Sequence, residues 1–200
     1  MKIDVCVLKK LSKLKICLAS SSPRRKEILE KLNLKFEIVS SNYEDRAFEK
    51  IDDPIDYVLD RAEGKLDDVL SNGNKWDIVI SADTIVIKDE IIYEKPTDAT
   101  DALRILKSLN NRQHKVVTAV CIATKYEKIK FHEITQVYFS NFTEEFLQEY
   151  IESGEYVGKA GGYGIQGYGA ILIEKIIGDY YNVVGFPINA IIRNLKQLNF

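Results

Sequence analysis

The chain has 200 residues, 46% of them hydrophobic and 29% charged, a composition that excludes disordered, collagenous and solenoid proteins and is enough to bury roughly 70% of the unfolded surface without disulfides or a structural metal. Twenty-eight Lys and Arg against thirty Asp and Glu give a net charge of -2, without the positive field that a nucleic-acid partner asks for. Three scattered cysteines (Cys6, Cys17, Cys121) and two histidines (His114, His132) encode neither a disulfide framework, a zinc cage nor a thiol protease, so catalysis has to lean on carboxylates, lysines and arginines.

Residues 1–13, MKIDVCVLKKLSK, hold an apolar stretch of only four residues and read as an extension of unknown role, neither signal peptide nor anchor. No apolar run approaches the ~20 residues of a membrane span. With the odd cysteine count, a reducing cytosolic compartment is the simplest expectation. Charge is uneven: residues 1–26 carry eight basic residues against Asp4 alone, which suits an anion received near that end.

From residue 14 to the C-terminus, without an internal repeat or linker, the chain reads as one mixed α/β domain. LKICLAS (14–20) predicts a buried strand, and SSPRRKEILEKLNL a helix with Ser22 at the N-cap, Pro23 at the first position, and Ile28, Leu29 and Leu32 inward. FEIVSS (36–41) predicts a second strand. From Pro54 to Leu70, apolar residues at 55, 58, 59, 62, 66, 69 and 70 predict a long helix. WDIVISADTIVI (76–87) predicts a central strand that turns through KDE into a hairpin with IIYE. A helix over about 98–109, strands near 115–124 and 129–139, and a capped helix over 143–153 follow. Seven of the eleven glycines then fall between Gly154 and Gly169, ahead of a predicted strand AILIEKII (170–177) and a last helix opening near Pro187.

Several placements ask for a reason. Arg24, Arg25 and Lys26 sit in the opening turn of a helix, where the macrodipole already disfavours cations. An anion such as a polyphosphate, met also by Ser20, Ser21 and Ser22, explains them; the plainer reading is that the arginines point into water. Asp83 interrupts an otherwise apolar central strand. A buried carboxylate there needs a partner, a metal or a catalytic role, the plainer reading being a cap on a bulge. Lys65 borders the apolar stripe of its helix, and Lys95, in EKP, closes the hairpin that begins at Asp83. Both reach toward one cleft or merely snorkel. Glu44 lies in a loop after a strand, solvated or a Mg²⁺ ligand. GYGIQG (162–167) matches GxGxxG as a string but follows a helix and precedes a strand, the reverse of the dinucleotide-binding context. Gly158 and Lys159 are followed by Ala160, which rules out a Walker A loop. Gln166 remains as an amide able to meet a base edge, or as part of a bulged turn.

LASSSPRR (18–25), SADTIV (81–86), EKP (94–96), KAGGYGIQG (159–167) and NVVGFP (182–187) together resemble the Maf family, in its order and over nearly everything from Lys15 onward. The resemblance implies a Maf/ITPase-like α/β fold, an elongated mixed β-sheet flanked by helices with a central substrate cleft. It implies a nucleoside triphosphate pyrophosphatase cleaving between the α and β phosphates, and SPRR, ADT and GIQG are closer to the dTTP/UTP subgroup than to the methyl-GTP subgroup. By the same resemblance Asp83 is the general base, and Arg24, Thr84 and Gln166 are tied to substrate choice. Ser20, Arg25, Lys65 and Lys95 contact phosphates, and Glu44 with Asp83 holds a divalent cation, Mg²⁺ or Mn²⁺. The family often has Asp before KAG, where this chain has Gly158. A homodimer is the family's expectation. Asp83→Asn is then expected to abolish turnover and leave the domain folded. The competing readings are a non-catalytic nucleotide-binding regulator of septum formation and a pyrophosphatase for other or modified triphosphates.

Overall fold

The computed structural model describes residues 5–43, 53–73 and 75–198. Among them the elements run α1 (Val5–Leu11), β1 (Ile16–Ala19), α2 (Pro23–Glu30), β2 (Phe36–Ile38), α3 (Pro54–Ser71), β3 (Ile78–Lys88), β4 (Ile91–Tyr93) and α4 (Ala99–Leu109). They continue with β5 (Gln113–Thr124), β6 (Lys128–Phe139), α5 (Glu144–Glu152), a 3₁₀ turn (Ala160–Gly162), α6 (Gly169–Leu172), β7 (Ile173–Ile177), α7 (Tyr180–Val184) and α8 (Ile188–Leu195). The strands form a seven-stranded mixed sheet in the order β2-β1-β3-β5-β6-β7, with β4 on β3. The predicted mixed α/β architecture is therefore present.

The chain divides into two compact units, and the long strands β3, β5 and β6 each contribute residues to both. The first unit takes residues up to Asp83, 119–132 and 185 onward. In it, β1 pairs in parallel with β2 and with the first half of β3, Ala19 standing opposite Ser81. β1 is buried throughout, as an apolar strand flanked on both sides by parallel neighbours has to be. α3 starts at Asp53, whose carboxylate accepts from the Ile55 N–H at 2.7 Å, and buries Val58, Ala62, Leu66 and Val69 on one face. α1 belongs to the N-terminal extension, and Leu11 at its end is fully buried, so this part of the extension is packed.

The second unit takes residues 84–118 and 133–184. Its core is Val86, Tyr93, Ile105, Leu106, Leu109, Val137, Phe139, Leu147 and Leu172 with their neighbours. α5 is capped as its sequence predicts, Thr143 accepting from Phe146 N–H, and α4 is capped by Asp98, which accepts from Asp101 N–H. The β3–β4 hairpin turns through Asp89 and Glu90, both at positive φ.

Three local differences from the expected elements have identifiable causes. Ser22 stands at the N-cap of α2, but its side chain makes no capping bond. Its N–H instead donates to Ser20 Oγ at 3.3 Å. The expected strand over 170–177 begins as a helical turn, because the Glu155 carboxylate accepts from the N–H groups of Tyr168 (3.0 Å) and Gly169 (3.4 Å) and thereby satisfies the donors that open a helix. Only from Ile173 does the chain join β6 as β7. The short α7, which periodicity does not announce, is opened by Asp179, whose Oδ1 accepts from Tyr181 N–H at 2.8 Å.

Candidate active site

In the first unit the chain turns sharply after β1. Ser20, 8% exposed, accepts on Oγ from Arg25 Nη1 at 3.0 Å, and Arg25 Nε donates to the Gly185 carbonyl at 2.9 Å. Arg25 is thus aimed back across the first turn of its own helix, tied to the serine turn at one end and to the chain before α8 at the other. Burial lowers its pKa to about 10, with Asp83 opposing and Arg24 reinforcing, so it stays a cation at neutral pH. Arg24 is half-buried, and burial lowers its pKa against the pull of Glu27.

Asp83 lies two residues past the Ala19–Ser81 register, at the carboxyl end of the parallel pairing, where open α/β sheets receive ligands. It is 4% exposed. α3 reaches it twice, one helical turn apart: Lys65 Nζ stands 2.5 Å from Oδ1, and Arg61 Nε stands 2.9 Å from Oδ2. The Arg61 contact is close but not aligned as a hydrogen bond at Nε, so it acts as charge on charge. Arg61 Nη1 also donates to the Tyr57 hydroxyl, and its guanidinium lies 5.2 Å from that ring's centre. Tyr57, Arg61 and Lys65 follow the i, i+4 spacing that stacks side chains on one face of a helix. Burial pushes the Asp83 carboxyl up, but Lys65, Arg61 and Arg25 together override it and hold it below the usual carboxylate range. Arg25, Arg61 and Lys65 thus bring three cationic side chains to one carboxylate, a setting that favours an anion.

The structure therefore gathers Ser20, Arg24, Arg25, Lys65 and Asp83 in the first unit. Glu44 lies outside the described residues. Thr84, Lys95 and Gln166 belong to the second unit. There Thr84 Oγ1 is 3.0 Å from Thr118 Oγ1, which donates to the Asn182 carbonyl at 3.0 Å. Lys95 is exposed just after β4. Gln166 is half-buried in the loop that Glu155 closes, where a Cβ on Gly169 would stand 2.0 Å from the Gly164 carbonyl oxygen. Cys17 and Cys121 are buried, and burial raises their thiol pKa values to about 11 and 12, so neither offers a thiolate at neutral pH.

Arg61 and Glu155 do not emerge from reading the sequence for function. Arg61 had a signal: a charged residue on the apolar face of α3, one turn before Lys65. Glu155 had none, because its partners are backbone amides 13 and 14 residues on.

This mixed-sheet α/β protein carries a cation-lined carboxylate at the end of its parallel strand pairing, an arrangement suited to an anionic ligand. The sequence matches the family model described as Maf-like protein over residues 15–198, and the chain belongs to that family. It is 43% identical to the dTTP/UTP pyrophosphatase of Bacillus thuringiensis subsp. konkukian (strain 97-27), over 92% of this chain and 96% of that one. It is 41% identical to the dTTP/UTP pyrophosphatase of Clostridium perfringens (strain 13 / Type A), over 92% and 97% respectively. A human relative, named as a probable bifunctional dTTP/UTP pyrophosphatase/methyltransferase protein, is 41% identical over 97% of this chain and 34% of its own length. Among the described residues no helix is long and apolar enough to cross a membrane.

Proposed function

We propose that this protein is a nucleoside triphosphate pyrophosphatase, hydrolysing the α–β phosphoanhydride of dTTP and UTP to the nucleoside monophosphate and pyrophosphate. The carrying observation is the buried Asp83 carboxylate held between Arg61 and Lys65, with the Ser20–Arg25 turn beside it. The names of its full-length relatives support the reaction and the pyrimidine preference.

In this reading Arg25, Lys65 and Lys95 bind the triphosphate and offset charge on the departing pyrophosphate. Asp83 orients a water molecule and takes its proton as the water oxygen bonds to phosphorus and the α–β phosphoanhydride breaks. Its depressed pKa keeps it ionised before substrate arrives, and engaging Lys65 with phosphate raises its basicity when that is needed. Thr84, Arg24 and Gln166 are the proposed readers of the base.

The residues suit a divalent cation only in company with phosphate. Asp83 is a hard oxygen ligand, but two cations flank it, and no group of three His, Cys, Asp or Glu side chains gathers among the described residues. An ion alone meets Asp83 with both oxygens already held by Lys65 and Arg61, whereas a triphosphate brings its own negative charge and fills most ligand places. Asp83 and Glu44 are the proposed protein ligands of a Mg²⁺ or Mn²⁺ ion, which when bound supplies charge neutralisation at the phosphates. Self-association as a homodimer belongs to the same reading, and sedimentation of the purified chain checks it.

The test is pyrophosphate release across a panel of canonical and modified triphosphates with Mg²⁺ or Mn²⁺, running Asp83→Asn beside the wild type. Release led by dTTP and UTP, and lost in the variant, is expected. No release from any triphosphate by folded protein would favour a nucleotide-holding regulator instead.

A further inference from the structure

We infer that the two cations on Asp83 have different duties: Arg61 is a fixed positioning residue that stays on Oδ2, while Lys65 is an exchangeable partner that leaves Oδ1 for the substrate's phosphates. The inference rests on the proposed reading of Lys65 as a phosphate contact.

The asymmetry is in the surroundings. The Arg61 side chain is 8% exposed and anchored at a second point by the Tyr57 hydroxyl and ring, so moving it breaks two contacts and strands a cation that does not lose its proton. The Lys65 side chain is 18% exposed, on a flexible four-carbon stem whose ammonium is a point charge with no preferred plane. An entering polyphosphate therefore draws off Lys65 first. Oδ1 is then left open to a water, while Arg61, itself anchored on Tyr57, holds the Oδ2 side of the carboxylate in place and prevents a second anion from expelling Asp83. A site in which both cations left would lose the orientation of its base, and one in which neither left would have no oxygen open to water.

The test is a pair of double-variant cycles read by thermal denaturation, Arg61→Gln with Asp83→Asn and Lys65→Gln with Asp83→Asn, each without and with saturating inorganic pyrophosphate and Mg²⁺. Without ligand, both pairs are expected to be coupled, each double variant losing at least about 5 °C less than the sum of its singles. With pyrophosphate, the Lys65–Asp83 coupling should vanish and the Arg61–Asp83 coupling persist. Steady-state kinetics adds an independent split: Arg61→Gln lowers kcat about 100-fold with little change in KM, and Lys65→Gln raises KM as well. Arg61→Lys, which keeps the charge but loses the fork, serves if Arg61→Gln does not fold and is expected to show the same kcat loss in smaller measure. Loss of the Arg61 coupling on binding, retention of the Lys65 coupling, or an Arg61 variant altered only in KM would overturn the inference. If the exchange occurs but wild-type protein turns over no triphosphate, the enzymatic reading fails instead.

Discussion

His114 Nε2 lies 2.6 Å from the Tyr163 hydroxyl, a pairing of residues 49 apart that joins β5 to the glycine-rich segment inside the second unit. Both residues are buried and both rings meet Phe139 edge-on. Burial is the main cause that lowers the His114 pKa from 6.5 to about 3, so the folded protein holds the ring neutral. Because the unfolded chain takes up this proton near pH 6.5, the stability from a neutral His114 is fully present above that pH and declines as pH falls toward 3. The slope is about 1.4 kcal/mol per pH unit. In His114→Phe, urea unfolding between pH 6 and 4 is expected to lose this slope. At pH 7.5 the variant should be less stable by about 1–3 kcal/mol, the cost of a buried Tyr163 hydroxyl without its partner.

Asp83→Asn removes the buried carboxylate that Arg61 and Lys65 both contact and that Arg25 lies near. Breaking a buried ion pair by removing one partner costs about 3–5 kcal/mol, a fall in Tm on the order of 10 °C for a chain of this size. The variant is expected to fold at 25 °C with a clearly reduced melting temperature and to release no pyrophosphate. Circular dichroism and the release assay on one preparation check both parts.

Gly169→Ala tests whether the Gln166 loop has to stay closed. An added Cβ meets the Gly164 carbonyl oxygen at 2.0 Å, backbone against backbone, which nothing flexible relieves. Gly154, at φ +75 with nothing within 4 Å of a Cβ, costs only the left-handed strain of about 1–2 kcal/mol. Gly169→Ala is therefore expected to raise KM for dTTP and UTP at least tenfold more than Gly154→Ala does, with faster amide exchange across 164–169.

Asn182 is fully buried, and its Nδ2 donates to both the Val116 carbonyl (3.0 Å) and Thr135 Oγ1 (2.9 Å). Asn182→Leu keeps the volume and removes both donors. A stability loss of about 2–5 kcal/mol by urea denaturation is expected, whereas substitution at an exposed polar position such as Gln148 is expected to stay within about 0.5 kcal/mol.

Chelation separates chemistry from architecture. With no cluster of three ligating side chains among the described residues, EDTA is expected to abolish pyrophosphate release while leaving the melting temperature of the nucleotide-free protein unchanged.

The sequence alone determined the local elements and the anomalies. Periodicity places α3 within one residue of its observed end at Ser71, and the apolar run around Asp83 marks it as a buried carboxylate in a central strand. Those signals are legible because they depend on neighbours three or four residues away, or on a side chain at odds with its own element. The tertiary structure decided what compensates Asp83. Arg61 and Lys65 come from a helix eighteen or more residues earlier, and their convergence on opposite oxygens depends on how α3 lies on β1 and β3. It also decided that 169–172 is helical: the capping carboxylate, Glu155, is supplied by a different segment, and a cap contributed from afar leaves no periodic trace in the residues it caps.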